Sequence, residues 1–381
     1  MSVVRAIELR SIGLPLVRAF RTSFGTSTEK VCMLARLETD EGEGWGECVA
    51  DVEPGYSEEF NEGAWLVVRD HLAPALLRAG DLSIDDLDRV FAHVRGNPMA
   101  KAALIDAFVD AELRVRDESL ATWLGAERNR VACGVSIGIT DTTEELLDQV
   151  EGYLSEGYLR IKLKIAPGLD VERVAAVRAV HPGIVLSVDA NAAYSIDDIE
   201  VFRALDDLDL LMIEQPLHHA DLVRHAQLQG AIHTALCLDE SIRSSADASA
   251  AIELGSCRIV NIKQGRVGGI VEARRVHDVC RTAGVPVWCG GMLETGIGRA
   301  QNLALAAMPG FTLPGDTSAS ARYFLEDLTE PFVMSPDGTM SVPTGPGIGV
   351  SPRPERLTET TLRTEVLTRG LGKSDKNPDP I

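Results

Sequence analysis

From residue 131 onward, short apolar runs recur along the chain: VACGVSI, YLRIKLKI, GIVLSVDA, LDLLMIEQP, ALCLDES, CRIVNIKQ, VPVWCGGM and GFTLPGD. Between most of them lie segments such as VERVAAVRAVH, DIEVFRALDD and GIVEARRVHDVCRTAG, whose apolar positions fall at helical spacing. Nearly continuous apolar strands alternating with amphipathic helices predict a parallel sheet. The residues closing the runs are Ser136, Lys164, Asp189, Glu214, Asp239, Lys263, Cys289 and Pro314, in steps of 28, 25, 25, 25, 24, 26 and 25. Eight units of one length predict a closed (β/α) barrel. A doubly wound open sheet would need a glycine-rich phosphate turn after the first strand, and CGVSIGITD is not one.

The preceding residues follow another rhythm. Residues 3–50 alternate β-rich runs with turns, Asp40-Glu41-Gly42 reading as a hairpin, and residues 57–127 are helical by pattern. This predicts an α+β unit over residues 1–130 and the barrel over 131–325. A Pro/Gly-dense segment follows over 326–368, then a frayed tail over 369–381.

The chain has 381 residues with 57 acidic against 37 basic, a formal charge of −20. That balance argues against nucleic acid and against anionic membrane surfaces, both of which call for a basic face. No stretch reaches the ~18 apolar residues of a membrane span, and the charged start lacks a signal-peptide core. Seven scattered cysteines without a CxxC pair read as reduced apolar fillers. A cytoplasmic enzyme is expected, acting on a small-molecule carboxylate and assembling as a homo-oligomer.

In a parallel barrel the strand C-termini converge on one mouth. Three consecutive ends there are Asp189, Glu214 and Asp239, a hard all-oxygen set suited to Mg²⁺, with Mn²⁺ an expected substitute. Zinc would want His or Cys, and none sits at these positions. Lys162 and Lys164 on the second run and Lys263 on the sixth flank the acids. Residues two apart on a strand share a face, so Lys162 and Lys164 are both expected to face the mouth. Neighbouring positive charge should depress one lysine pKa and make it a general base. Such an arrangement suits removal of a proton alpha to a carboxylate. Expected substrate contacts are Asn191, Ser136, Phe20, Tyr56, Leu293 and Asp316.

The motifs R-I-K-L-K (160–164), V-D-A-N (188–191), I-E-Q-P (213–216), L-D-E-S (238–241), N-I-K (261–263) and G-G-M-L-E-T-G-I-G (290–298) resemble the enolase superfamily, muconate-lactonising branch. Within it, R-T-S-F-G-T (21–26), G-E-G-W-G-E-C (42–48), G-R-V-G-G (265–269) and L-P-G-D-T-S-A-S (313–320) are similar to the N-succinylamino acid racemase / o-succinylbenzoate synthase family. The resemblance implies a modified TIM barrel of (β/α)7β type, capped by an α+β domain that the N-terminal region and the C-terminal segment build together. It implies Asp189, Glu214 and Asp239 as Mg²⁺ ligands, Lys164 and Lys263 as the acid/base pair, and Lys162 in support. It also implies specificity loops around Phe20–Thr26 and Asp51–Tyr56. Racemisation of N-acyl amino acids is the expected activity, with o-succinylbenzoate synthesis in menaquinone formation as the alternative.

A dipeptide epimerase would want Asp-x-Asp at the eighth strand, where Gly315-Asp316-Thr317-Ser318 stands. A non-catalytic relative would have lost a lysine or a carboxylate, and all are present. Gln264 and Ala321 depart from the family pattern away from the chemistry. Asp51 and Glu53 stand where relatives tend to be apolar; unless both point to solvent, they favour a neutral or cationic substituent over a succinyl-type anion. Gly296-Ile297-Gly298 is a βα loop whose N–H groups are candidates to hold substrate. His218 and His219 are adjacent and diverge, so they read as loop surface rather than metal ligands.

Overall fold

The computed structural model of the protein describes residues 1–23 and 25–369. Phe24 of the R-T-S-F-G-T motif and residues 370–381 of the expected tail lie outside the described residues.

Strands β1 (Val4–Arg21), β2 (Thr26–Thr39) and β3 (Glu43–Cys48) form an antiparallel meander. The tight connection at residues 40–42 is closed by Thr39 N–H donating to the Gly42 carbonyl at 2.8 Å. The sheet lies against the longest helix, Pro98–Val115. Two glycines set that distance. Gly44 and Gly46 share a face of β3, where a Cβ would stand 2.2 Å from the Ala107 carbonyl oxygen and 2.1 Å from that of Ala103 respectively. Ala103, Ala107 and Ala111 are spaced by four, one stripe of the helix. Small residues on both surfaces thus let strand and helix backbones meet directly.

The short β4 (Arg130–Ala132) precedes the barrel. Then follow β5 (Gly134–Ile137), β6 (Arg160–Lys164), β7 (Leu186–Asp189), β8 (Ile213–Glu214), β9 (Leu236–Leu238), β10 (Ile259–Ile262) and β11 (Val287–Cys289). Strands β5 to β11 pair in sequence order as one parallel sheet, with Lys164 beside Asp189 and Asp189 beside Glu214. The eighth run is not the regular strand its spacing suggests. Phe311 bridges to Val287 and Gly315 to Cys133 as isolated contacts. Gly315 accepts from Gly134 N–H at 2.6 Å and Asp316 N–H donates to Cys289 at 2.8 Å, so the segment joins the first and last strands. Pro314 has no N–H to give a ladder, and its carbonyl is taken by the Arg160 guanidinium at 3.0 Å.

After the barrel, β12 (Thr339–Ser341) pairs with β4, and β13 (Thr361–Thr368) pairs antiparallel with β1 at the edge of the N-terminal sheet. Among the described residues no helix is long and apolar enough to cross a membrane. All seven cysteines are buried and unpaired.

Buried carboxylates lock the N-terminal unit onto the barrel by capping barrel helices. Glu47 on β3 accepts from Thr295 N–H at 3.1 Å and Gly298 N–H at 3.0 Å, at the start of helix Gly296–Ala306. Gly296 N–H goes to Asp327 at 2.9 Å and Ile297 N–H to the Thr295 hydroxyl at 3.3 Å. The N–H groups expected to hold substrate are therefore spent on the fold: an N-terminus buried under the cap needs internal acceptors. Asp106 accepts from Ile270 N–H at 2.7 Å at the start of helix Ile270–Thr282. Gly268 and Gly269 precede that helix at φ of 103° and 106°, left-handed backbone that explains the paired glycines of G-R-V-G-G.

Two outcomes follow from this docking. Gly46→Ala drives a methyl into the Ala103 carbonyl, and urea unfolding should show a loss of about 1–3 kcal/mol. An unchanged midpoint would refute the close approach. Burial pushes the Asp106 carboxyl up to about 7 against the opposing Ile270 N–H, with the Asp110 charge adding to the rise. The unfolded carboxyl titrates at about 3.9, so the native state holds an extra proton between those values and this site loses stability as pH rises through that window. Asp106→Asn keeps an acceptor without titrating. It should gain on the wild type by roughly 1–3 kcal/mol between pH 5 and pH 8 in denaturant melts; a change of opposite sign would sink the argument.

Candidate active site

The inner face of β6 carries Arg160, Lys162 and Lys164 at period two, so three cations enter the barrel from one strand. Lys162 is sealed, 2 % exposed, with its Nζ 2.7 Å from Glu214, 2.8 Å from Asp316 and 3.3 Å from Asp189. Arg160 meets the other Asp316 oxygen at 2.7 Å. Both cations lie over the buried Trp288 ring, at 5.0 Å for Arg160 and 4.7 Å for Lys162. Met212, Cys237, Ile259 and Trp288 form a separate apolar cluster, and Trp288 Nε1–H reaches Cys237 Sγ at 3.2 Å.

At the mouth, Lys164 Nζ donates to Asp189 at 2.7 Å and to Asn191 Oδ1 at 2.6 Å. Asn191 Nδ2 passes the chain on to Glu240 at 2.9 Å. On the far side, Lys263 Nζ lies 2.7 Å from Asp239 and 3.2 Å from the Tyr56 hydroxyl, under the Tyr56 ring at 4.6 Å. Tyr56 O–H also donates to Asp239 at 3.0 Å, and Arg266 pairs with the same carboxylate. Asn261 holds the remaining Glu214 oxygen at 2.7 Å. Gln215, at φ 36°, fixes the next strand end: its Oε1 accepts from Asp239 N–H at 3.0 Å and Ser241 N–H at 3.2 Å. Asn191, Ala192 and Leu293 are also left-handed, so strained backbone gathers at this mouth.

These contacts set the proton affinities. Burial disfavours the Lys162 ammonium, but Asp316, Glu214 and Asp189 outweigh it and hold the group well above the usual lysine range. Burial is likewise overcome at Lys263, chiefly by Asp239. The expected depressed lysine is thus not found among these two, because each sits against carboxylates rather than against bare positive charge. Burial would raise Asp189, yet Lys164 and Lys162 keep it low. Glu214 goes the other way, pushed up to about 7 by burial and by the charges of Asp189 and Asp239. Burial and the same two charges push Glu240 up to about 8.

Six of the expected residues, Phe20, Tyr56, Lys164, Asn191, Lys263 and Leu293, line one cavity with Asp51, Ser27 and Met292. The space it encloses, with the open solvent at its mouth included, is about 490 Å³. Lys162 lies deeper and does not reach it, although period two puts it on the same face as Lys164. Asp316 does not line it either, being held between Arg160 and Lys162. Ser136 stands beside Lys162 in register with a buried, unpartnered hydroxyl. Asp189, Glu214 and Asp239 are all buried on neighbouring strands. Lysines stand between them, and among the described residues no three His, Cys, Asp or Glu side chains form a ready cation cage. The expected divergence of His218 and His219 is not found: in the loop after β8 their rings lie 4.2 Å apart, tilted by 31°. Sequence reasoning missed Arg160 and Asn261, which the period-two rule exposes two residues before Lys162 and Lys263. It also missed Arg266, Glu240 and Lys30, which carry no spacing signal.

The sequence family described as "Mandelate racemase / muconate lactonizing enzyme, N-terminal domain" matches residues 6–125, and "Enolase C-terminal domain-like" matches 145–356. An N-succinylamino acid racemase from Amycolatopsis sp is 56% identical over 93% of this chain and 96% of its own. An o-succinylbenzoate synthase from Geobacillus stearothermophilus is 46% identical over 91% and 92%. A solved enolase-superfamily member from Listeria innocua superposes with a TM-score of 0.93 at 40% identity, covering 97% of this chain and 100% of that one. With its lysines and carboxylates in this arrangement, the chain belongs to the enolase superfamily, in its mandelate racemase and muconate lactonizing branch, and is an enzyme of that group.

Proposed function

We propose that this enzyme removes the proton alpha to a substrate carboxylate and racemises N-acylated amino acids, with Lys164 and Lys263 as the two bases. The observation that carries this reading is that both ammonium groups line one cavity from strand ends on opposite sides of the Asp189–Glu214–Asp239 run. A ligand between them presents one face to each. Proton removal by one lysine and return by the other inverts the carbon; return by the same lysine restores it.

Asp189, Glu214 and Asp239 are the residues that would hold Mg²⁺. The donor chemistry fits: three oxygen donors, no nitrogen or sulfur, and a Glu214 whose proton affinity is raised by its anionic neighbours. Bound there, the ion would supply a positive centre for the substrate carboxylate and take over carboxylate charge that otherwise keeps Lys263 protonated. Asn191 orients Lys164 through its 2.6 Å contact, and Tyr56 orients Lys263 from the loop above. Phe20, Leu293 and Met292 keep water from the reacting carbon.

o-Succinylbenzoate synthesis is the second reading, favoured by the 46% identical synthase and requiring the same residues. A dipeptide epimerase is disfavoured: an L-Ala-D/L-Glu epimerase from Bacillus subtilis is only 27% identical, and here Asp316 is engaged by two cations.

In D₂O, Lys164→Ala and Lys263→Ala should each abolish racemisation, roughly 10²–10⁴-fold, while each keeps solvent exchange of the alpha proton from one enantiomer, and not the same one. Asp189 keeps Lys162 and Asp239 keeps Arg266, so both variants should fold. Exchange from both enantiomers in either variant would exclude the two-base assignment. Chelation by EDTA should silence exchange and lower the thermal midpoint, and Mg²⁺ or Mn²⁺ should restore both; full activity in EDTA would rule out the cation site.

A further inference from the structure

Resting on the alpha-proton reading, we propose that Asp51 makes this cavity selective for carboxylate substrates carrying a cationic group away from the reacting carbon. Asp51 lines the same cavity as Lys164 and Lys263, and its side chain is 35 % exposed. Its counter-charge is Lys30, 2 % exposed, whose Nζ stands 3.4 Å from Asp51 Oδ1 and 3.0 Å from the Val49 carbonyl.

Lys30 is itself buried, and the charges of the buried Glu47 and Glu294 reach it as well, although the carboxylate it pairs with is Asp51. Apart from Lys164 and Lys263, the rest of the lining offers hydroxyls such as those of Thr22 and Ser27 and apolar surfaces such as Phe20 and Met292, and adds no positive charge. Glu53, the other acid of the loop, is exposed and absent from the lining.

A substrate held with its reacting carbon between Lys164 and Lys263 leaves its remote part to meet the rest of this lining, Asp51 included. An ammonium or guanidinium there gains a partly desolvated partner, a neutral group gains none, and a second carboxylate is repelled. The cation can come from either end of an N-acyl amino acid, its side chain or its acyl group.

The test is kcat/KM for alpha-proton exchange in D₂O on matched probes. One arm varies the side chain: Nα-acetyl-lysine, Nα-acetyl-norleucine and Nα-acetyl-glutamate. The other varies the acyl group on norleucine: β-alanyl against succinyl, an ammonium and a carboxylate on equal chains. The cationic probe should win at least tenfold in one arm, which identifies the end that meets Asp51. Asp51→Asn should shrink that ratio at least tenfold, whereas Glu53→Gln should leave it in place. Equal rates across charge, or a preference that survives Asp51→Asn, overturns the inference and leaves the alpha-proton reading intact. No exchange on any probe overturns both. Should Asp51→Asn fail to fold, the wild-type ratios still decide.

Discussion

The barrel interior has to neutralise an unusual amount of buried charge. Arg160, Lys162, Lys164, Lys263 and Arg266 face Asp189, Glu214, Asp239, Glu240 and Asp316, five formal cations against five formal anions. Ions withdrawn from water are tolerable only when paired and hydrogen-bonded, and losing one partner strands the other. Much of the surrounding architecture serves this balance. Trp288 lies under two cations, Asn261 and Tyr56 supply neutral hydrogen bonds, and Gln215 holds the Asp239 end of β9 in place. A chain carrying −20 overall therefore sets as many basic as acidic side chains at this centre, and the raised proton affinity of Glu214 and Glu240 lowers its negative charge further.

The N-terminal sheet depends on that centre being fixed, because its loops form the cavity's roof. Positioning comes from backbone-level contacts rather than from loose apolar packing. The glycines of β3 touch the alanine stripe of the long helix, while Glu47 and Asp106 reach across to cap helices of the barrel. Carboxylates at helix N-termini are directional, so they fix rotation as well as distance.

Periodicity carries most of the fold. A repeat of about 25 residues placed Lys164, Asp189, Glu214, Asp239 and Lys263 at strand ends because each βα unit must return the chain to the same mouth. Where that logic fails, a local feature overrides it. Pro314 cannot ladder, so the eighth strand shrinks to bridges. Lys162 shares a face with Lys164, yet depth within the barrel separates a sealed ion pair from a cavity residue, and depth has no sequence period. The glycine loop before helix Gly296–Ala306 looked free because its acceptor, Glu47, is about 250 residues away in the chain. Long-range partners of this kind, Lys30 with Asp51 across two strands included, leave no mark on local pattern.

Tyr56 belongs to a capping loop, but its hydroxyl and ring both rest on Lys263. The loop proposed to meet the substrate thus also grips Lys263, one of the two proposed bases. Under that assignment, recognition and reactivity are not separable modules. A change at Tyr56 therefore alters the surroundings of the Lys263 ammonium together with the lining of the cavity.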